Sequence, residues 1–250
     1  REEILKDQKK IIIDINESFE LGEFAEAMRR FRETKGSIRT SEDAAELQRI
    51  AAACLNTNAG ELHTFGAKLR YHFGWARYYE IINNSIEAFK SVREIIDLYD
   101  AYPQFIQTEQ LGYLTNVMRY CTYELRNGNI EGYRPYIEKV RMLQKSKQTK
   151  PYSELLLFHF DINEAIAIED WKKIDSLHSS LADMLERNGA EANSYGKDIR
   201  IDYYLHFAKA FFLQKKFEKA LNEINSAMKL PTLKSFPSSE NNARILQLIV

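Results

Sequence analysis

Five histidines (His63, His72, His159, His178 and His206) and two cysteines (Cys54 and Cys121) are the side chains best suited to hold a metal or to act as base or nucleophile. Only one of them has a telling neighbour. Asp175 and His178 stand three apart on one helix face, which is half of a carboxylate-bridged two-metal site, and the other half needs a second such pair plus carboxylates from other helices. No matching pair occurs, and so few ligands do not hold an ion. A boundary role is therefore expected for both residues. In "HFD" (159–161) the imidazole and the carboxylate leave a helix on different sides. The cysteines lie far apart, without zinc or disulfide spacing, and read as buried thiols in a reducing compartment. Nucleophile elbow, phosphate loop, dinucleotide fingerprint and H-E-x-x-H are missing from the sequence. The expectation is a protein that is not an enzyme and uses neither metal nor cofactor.

The elements that would position these residues are helices. Only 10 Gly and 5 Pro occur in 250 residues, strand-like alternation is hard to find, and apolar residues recur at three-and-four spacing, so the fold class is all-α. Breaks are expected at 21–23 (LGE), 34–41, 56–60, 71–74 (YHFG), 101–104, 126–129, 146–151, 168–170, 187–194, 214–216 and 231–239. Thr40 offers a hydroxyl and Asp43 a carboxylate three positions on, a helix start that satisfies its own free N–H groups. A helix over "IEGYRPYIEKV" is expected to start near Gly132, which keeps Pro135 in its first turn.

Charge and hydropathy narrow the function classes. Lys plus Arg (35) nearly cancel Asp plus Glu (36), and there is no basic block, so no nucleic acid is expected as partner. "LQRIAAACLNTNAGELHTF" (47–65) has helix-turn-helix character, but its second helix would offer only Lys68 and Arg70, late, to phosphates. A degenerate structural hairpin is the preferred reading. No apolar run approaches the ~20 residues that cross a bilayer, so no membrane association and a cytoplasmic location are expected. The chain starts at Arg1 and stops inside the apolar run "NNARILQLIV", which predicts a fragment of a longer protein and a homodimer through exposed ends.

The stretch "YYLHFAKAFFLQKKFEKALNEINSAMKLP" (203–231) carries the fold argument. Tyr204, Phe207, Ala208 and Phe211 fall on one face of a first helix, and Phe217, Ala220, Leu221, Ile224 and Ala227 on one face of a second, across the short turn at 214–216. Small Ala208 and Ala220 let the two backbones approach, while Phe211 and Phe217 fill the flanking space. Followed by Pro231, this series resembles the tetratricopeptide repeat, whose large, small and aromatic positions recur over ~34 residues. Further copies are read at "SFELGEFAEAMRRF" with its turn at Gly22, at "YCTYELRNGNIEGYRPYI" turning at Gly128, and at "DINEAIAIEDWKKIDSLHSSL" with Trp171 in the aromatic place. The tail also resembles part of a group of long helical proteins of unassigned function from Bacteroidetes-type genomes.

The resemblance implies a single domain over 1–250, a right-handed α-α solenoid of five or six helical hairpins. It further implies a scaffold or protein/peptide-binding module that holds its ligand on a concave face. The contact positions it places there are Asn16, Phe19 and Glu20; Thr122 and Arg126; His159, Asn163 and Ile166; and Leu205, Lys209 and Phe212. An alternative use of such arrays is as the sensor half of a DNA-linked or signal-responsive regulator.

Overall fold

A computed structural model describes residues 2–52, 54–143, 150–194, 199–230, 233 and 237–249. Among them the regular structure is entirely helical, and no helix is long and apolar enough to cross a membrane. The chain separates into two compact units, one ending at Glu109 and one starting at Gln110, where the sequence reading has a single domain.

The first unit holds α1 (Glu2–Lys35), α2 (Ser41–Ala52), a 3-10 turn (Ala59–Glu61), α3 (Phe65–Ile81), α4 (Ser85–Ala101) and the short α5 (Gln104–Thr108). Two expected breaks are helix interiors. α1 runs unbroken through 21–23, so Gly22 marks no turn and the repeat copy read there does not exist as a hairpin. A glycine inside a helix costs only ~1 kcal/mol relative to alanine, and burial of Leu21, Phe24, Met28 and Phe31 along one stripe of α1 outweighs it. That stripe packs with Leu47, Ala51, Cys54, Leu62, Ala67 and Ile81. α3 likewise continues through 71–74, and Gly74 is buried in its middle. A methyl group added there would stand 2.2 Å from the Phe24 ring, so this glycine is a close-approach point between α1 and α3, not a breaker.

The start of α2 follows the sequence reading. Asp43 N–H donates to Thr40 Oγ1 at 3.1 Å, and Asp43 Oδ2 accepts from the backbone N–H groups of Arg39 and Thr40 at 3.1 and 3.2 Å. Lys35, ending α1, adds ion pairs to Asp43 at 2.7 Å and Glu46 at 2.6 Å. Over 47–65 the structure forms neither the helix-turn-helix weighed from the sequence nor the preferred hairpin: α2 ends at Ala52, Glu61 belongs to the 3-10 turn, and α3 starts only at Phe65.

The second unit holds α6 (Gln110–Arg126), α7 (Ile130–Leu143), α8 (Lys150–Ala167), α9 (Trp171–Ser194), α10 (Ile199–Leu213), α11 (Phe217–Met228) and α12 (Pro237–Ile249). The expected break at 187–194 is helical throughout, since α9 runs on to Ser194. α7 starts at Ile130, two residues before the expected start, because Asn129 caps it by accepting from Gly132 N–H at 3.1 Å. Pro135 then lies past the first turn and removes one hydrogen bond from the helix interior. The core here joins Leu155, Ile162, Ala165, Ile174, Tyr203, Phe207, Phe211 and Ala220. Phe217 and Leu221, expected inside, are 47% and 38% exposed. Pro231 lies outside the described residues.

Four hairpins, α3–α4, α6–α7, α8–α9 and α10–α11, close with one turn geometry. Its central residue is left-handed in each: Asn83 (φ 58°), Gly128 (73°), Glu169 (58°) and Lys215 (60°). The next N–H in each case reaches back five residues, Asn84 to Tyr79, Asn129 to Glu124, Asp170 to Ala165 and Lys216 to Phe211, at 2.8–2.9 Å. That 6→1 bond, with the central residue's own N–H to the carbonyl three before it, satisfies the free carbonyls of the ending helix. Asn84, Asn129 and Asp170 then cap the second helix through their side chains; Lys216 has no such bond.

Counting from these cap residues, the positions eight before (Ala76, Cys121, Ile162, Ala208) and four after (Ala88, Tyr133, Ile174, Ala220) are all at most 1% exposed. This is the register read from Ala208 and Ala220, now in four hairpins. The turns are 45, 41 and 46 residues apart, by their positions 83, 128, 169 and 215, longer than the expected ~34; the 24-residue α9 absorbs part of the surplus.

A left-handed L-residue costs roughly 1–2 kcal/mol that glycine avoids. Lys215→Gly is therefore expected to raise stability by up to ~1 kcal/mol after the added unfolded-state entropy, and Gly128→Ala to lower it by ~1 kcal/mol. Urea midpoints of the two variants check both signs.

Candidate functional site

The residues singled out for chemistry are occupied structurally. His178 Nε2 lies 3.0 Å from Glu223 Oε1, and its ring meets those of Phe207 and Phe211 edge-on at 5.0 Å. Asp175 pairs instead with Lys216 Nζ at 3.2 Å. Asp161 takes Lys173 at 3.1 Å, and His159 turns to His206, ring centroids 4.6 Å apart. Burial raises the thiol pKa of Cys54 to about 11 and of Cys121 to about 12, so both stay as thiols at neutral pH. Among the described residues no group of three or more His, Cys, Asp and Glu is placed to hold a metal ion.

The resemblance-derived contact positions fall in both units and differ in burial. Asn16, Phe19 and Glu20 are exposed on α1, and Arg126 and Lys209 are exposed at α6 and α10. Glu20 lines a cleft of about 590 Å³ with Glu23, Phe24, Ala27, Glu46, Arg49, Ile50 and Cys54. Thr122 is half-buried and donates to the Met118 carbonyl at 2.8 Å. His159 and Asn163 are half-buried on α8, with Asn163 Nδ2 bonded to the His159 carbonyl at 2.9 Å. Ile166, on the same helix, is 9% exposed and belongs to the core, so it is not part of an open face. Leu205 is half-buried, and Phe212 packs against the core and stands 5.7 Å from the Phe217 ring.

A concavity in the first unit was missed by the sequence reading. It encloses about 900 Å³ between α3, α4 and residues 55–59. One wall is aromatic: Tyr71, Trp75 and Tyr78 at i, i+4 and i+7, with Tyr79 beside them. The Trp75 ring is the hub, with centroids at 6.2 Å to Tyr71, 5.3 Å to Tyr78 and 5.8 Å to Tyr79, and Phe24 behind it at 5.4 Å. Its buried indole N–H makes no well-formed hydrogen bond, although it is close enough to the Tyr71 hydroxyl to offset part of the burial that raises that phenol's pKa. The facing wall is the polar stripe Glu87, Lys90, Ser91 and Glu94 of α4, and Asn56, Thr57 and Asn58 close one end.

Reading Gly74 as a breaker cut this stripe in half. The signal was present all the same, in four aromatics at 71, 75, 78 and 79 with one helical period running across the glycine.

His72 sits in the same wall, and burial, with Lys68 nearby, holds its pKa down at about 4. Its ring protons are expected to titrate near pH 4 by NMR. An unfolded histidine titrates near 6.5. The unfolded chain then binds the extra proton first, so His72 lowers stability as pH falls from about 6.5 to 4. A ring titrating near 6.5 would mean that water fills this wall. Compared with known proteins, the chain matches no family model, no curated protein and no solved structure.

Proposed function

We propose that this protein is a non-enzymatic module that binds a peptide segment of another protein, with the α3–α4 cleft as its ligand surface. The observation that carries the reading is the aromatic stripe Tyr71–Trp75–Tyr78–Tyr79 set opposite a polar one across about 900 Å³, since ligand sites are concave and combine apolar rings with a few placed polar groups. Rings that brace one another at fixed angles lose little freedom when a ligand arrives. Asn56 and Thr57 supply donors and acceptors that a peptide backbone needs. The tetratricopeptide-like reading has separate support in the shared register of four hairpins, and a right-handed solenoid is the stacking which that resemblance implies.

Panning a displayed random twelve-residue peptide library on the whole protein tests the reading. Clones should be enriched on the native chain and lost, by at least tenfold in recovery, on a folded Tyr79→Ala variant. Equal recovery on both proteins would reject the cleft.

A further inference from the structure

We propose that the α3–α4 cleft recognises a cation: an Arg or Lys side chain of an extended peptide, laid over the Trp75 and Tyr79 rings and between the carboxylates of Glu87 and Glu94. The inference rests on the peptide-binding reading above and adds the chemical class of the ligand.

Three observations on the two walls point the same way. The rings present electron-rich faces, which attract a guanidinium or ammonium group. The α4 wall carries Glu87 and Glu94, seven positions apart on one face and so about two turns, ~10 Å, along the axis. The third is the chain's own cation: Lys90 Nζ already sits 2.6 Å from Glu87 Oε1 in this cleft, and Glu87 and Lys90 both act on the Tyr79 hydroxyl. Lys90 thus marks a place in this cleft where a carboxylate holds a positive group, close enough to act on the Tyr79 hydroxyl, while Glu94, exposed, has no ion pair among the described residues. Counting the lining groups, two carboxylates face one ammonium, and His72 adds no charge at neutral pH because burial keeps it unprotonated. An arriving Arg finds Glu94 open and competes with Lys90 for Glu87; an acidic peptide would be repelled. Arg suits both walls at once, since its planar fork pairs with a carboxylate while its flat face stacks on an aromatic ring.

The test uses the two tryptophans of the chain, Trp75 and Trp171. In a Trp171→Phe background the emission of Trp75 reports the cleft alone, and it is titrated with hexa-arginine, hexaglutamine and hexaglutamate at low and high salt. Hexa-arginine should shift the emission saturably and hexaglutamate should not. Glu94→Gln should weaken hexa-arginine about fivefold, and Glu87→Gln with Glu94→Gln about tenfold or more. Raised salt should weaken it as well, by screening the partly exposed carboxylates.

A saturable response to hexa-arginine that Glu94→Gln and the double variant leave unchanged overturns the proposal, as does equal binding of hexaglutamate. If hexaglutamine or library peptides without Arg or Lys bind in a Tyr79-dependent way and hexa-arginine does not, the cation assignment falls and the peptide-binding reading stands. If no probe and no library clone engages the cleft, both fall.

Discussion

Phe211→Ala is expected to cost ~3–5 kcal/mol, the cost of emptying a well-packed aromatic site, and so to remove much of a stability that for folded domains is typically ~5–15 kcal/mol. Phe211 is fully buried. Its ring lies 5.0 Å from that of His178 and 6.3 Å from that of Phe207, and the ammonium groups of Lys216 and Lys219 approach it at 5.9 and 5.4 Å. It therefore ties α9, α10 and α11 together at one point. Phe211→Leu keeps most of the volume and should cost ~1–2 kcal/mol. Phe217→Ala, one turn away in the same hairpin but 47% exposed, should cost under ~1 kcal/mol. Urea unfolding of the three variants gives the order; a Phe211→Ala loss no larger than that of Phe217→Ala would contradict this packing.

Gly74→Ala is the second large effect, and its sign is the reverse of what helix propensity dictates. In an open helix the change gains ~1 kcal/mol. Here the new methyl would stand 2.2 and 2.5 Å from two carbons of the Phe24 ring and 3.1 Å from a third. That ring cannot swing aside cheaply, since Trp75 packs on it at 5.4 Å and the α1 stripe surrounds it. Either α1 and α3 move apart or Phe24 leaves its rotamer, at ~1–3 kcal/mol, the usual cost of overpacking. Combining Gly74→Ala with Phe24→Leu, which vacates the space, should recover more than half of the loss, a coupling that a double-mutant cycle in urea reads directly. Gly74→Ala within ~0.5 kcal/mol of the native chain would mean that the two helices do not meet at this point.

What was legible in the sequence follows from these contacts. The all-helical class was legible because periodic apolar residues and rare Gly and Pro act locally. The α6–α7, α8–α9 and α10–α11 turns were legible because each combines an interruption with a change of helix face, and the α2 start because Thr40 and Asp43 cap it within four residues. The α3–α4 turn at Asn83 was passed over: Ile81 to Ser85 contains no Gly or Pro, and its signal lies in Asn83, left-handed at φ 58°, followed by the capping Asn84. Gly22 and Gly74 misled for the opposite reason. Whether Gly74 ends a helix or admits a neighbouring ring depends on Phe24, fifty positions away, and whether Gly22 breaks α1 depends on what the stripe around it buries; one-dimensional reading sees neither contact. Ile166 was placed on an open face by counting along an assumed repeat, and the core of the second unit claims it. The aromatic cleft shares the cause, since its stripe is continuous only if α3 is.

The shared hairpin turn has a consequence for how this chain can change length. Each turn closes through bonds that span six residues or fewer, so two helices are set in register without reference to anything beyond their own hairpin. A residue gained or lost inside a turn would rotate the second helix by ~100° and take its buried stripe out of the core. One gained in the joins between hairpins leaves that pairing intact. Deletions and insertions during descent should accordingly accumulate in joins such as the one around α5 and leave the positions of Asn83, Gly128, Glu169 and Lys215 fixed within their hairpins, which is also the uneven spacing of 45, 41 and 46 residues.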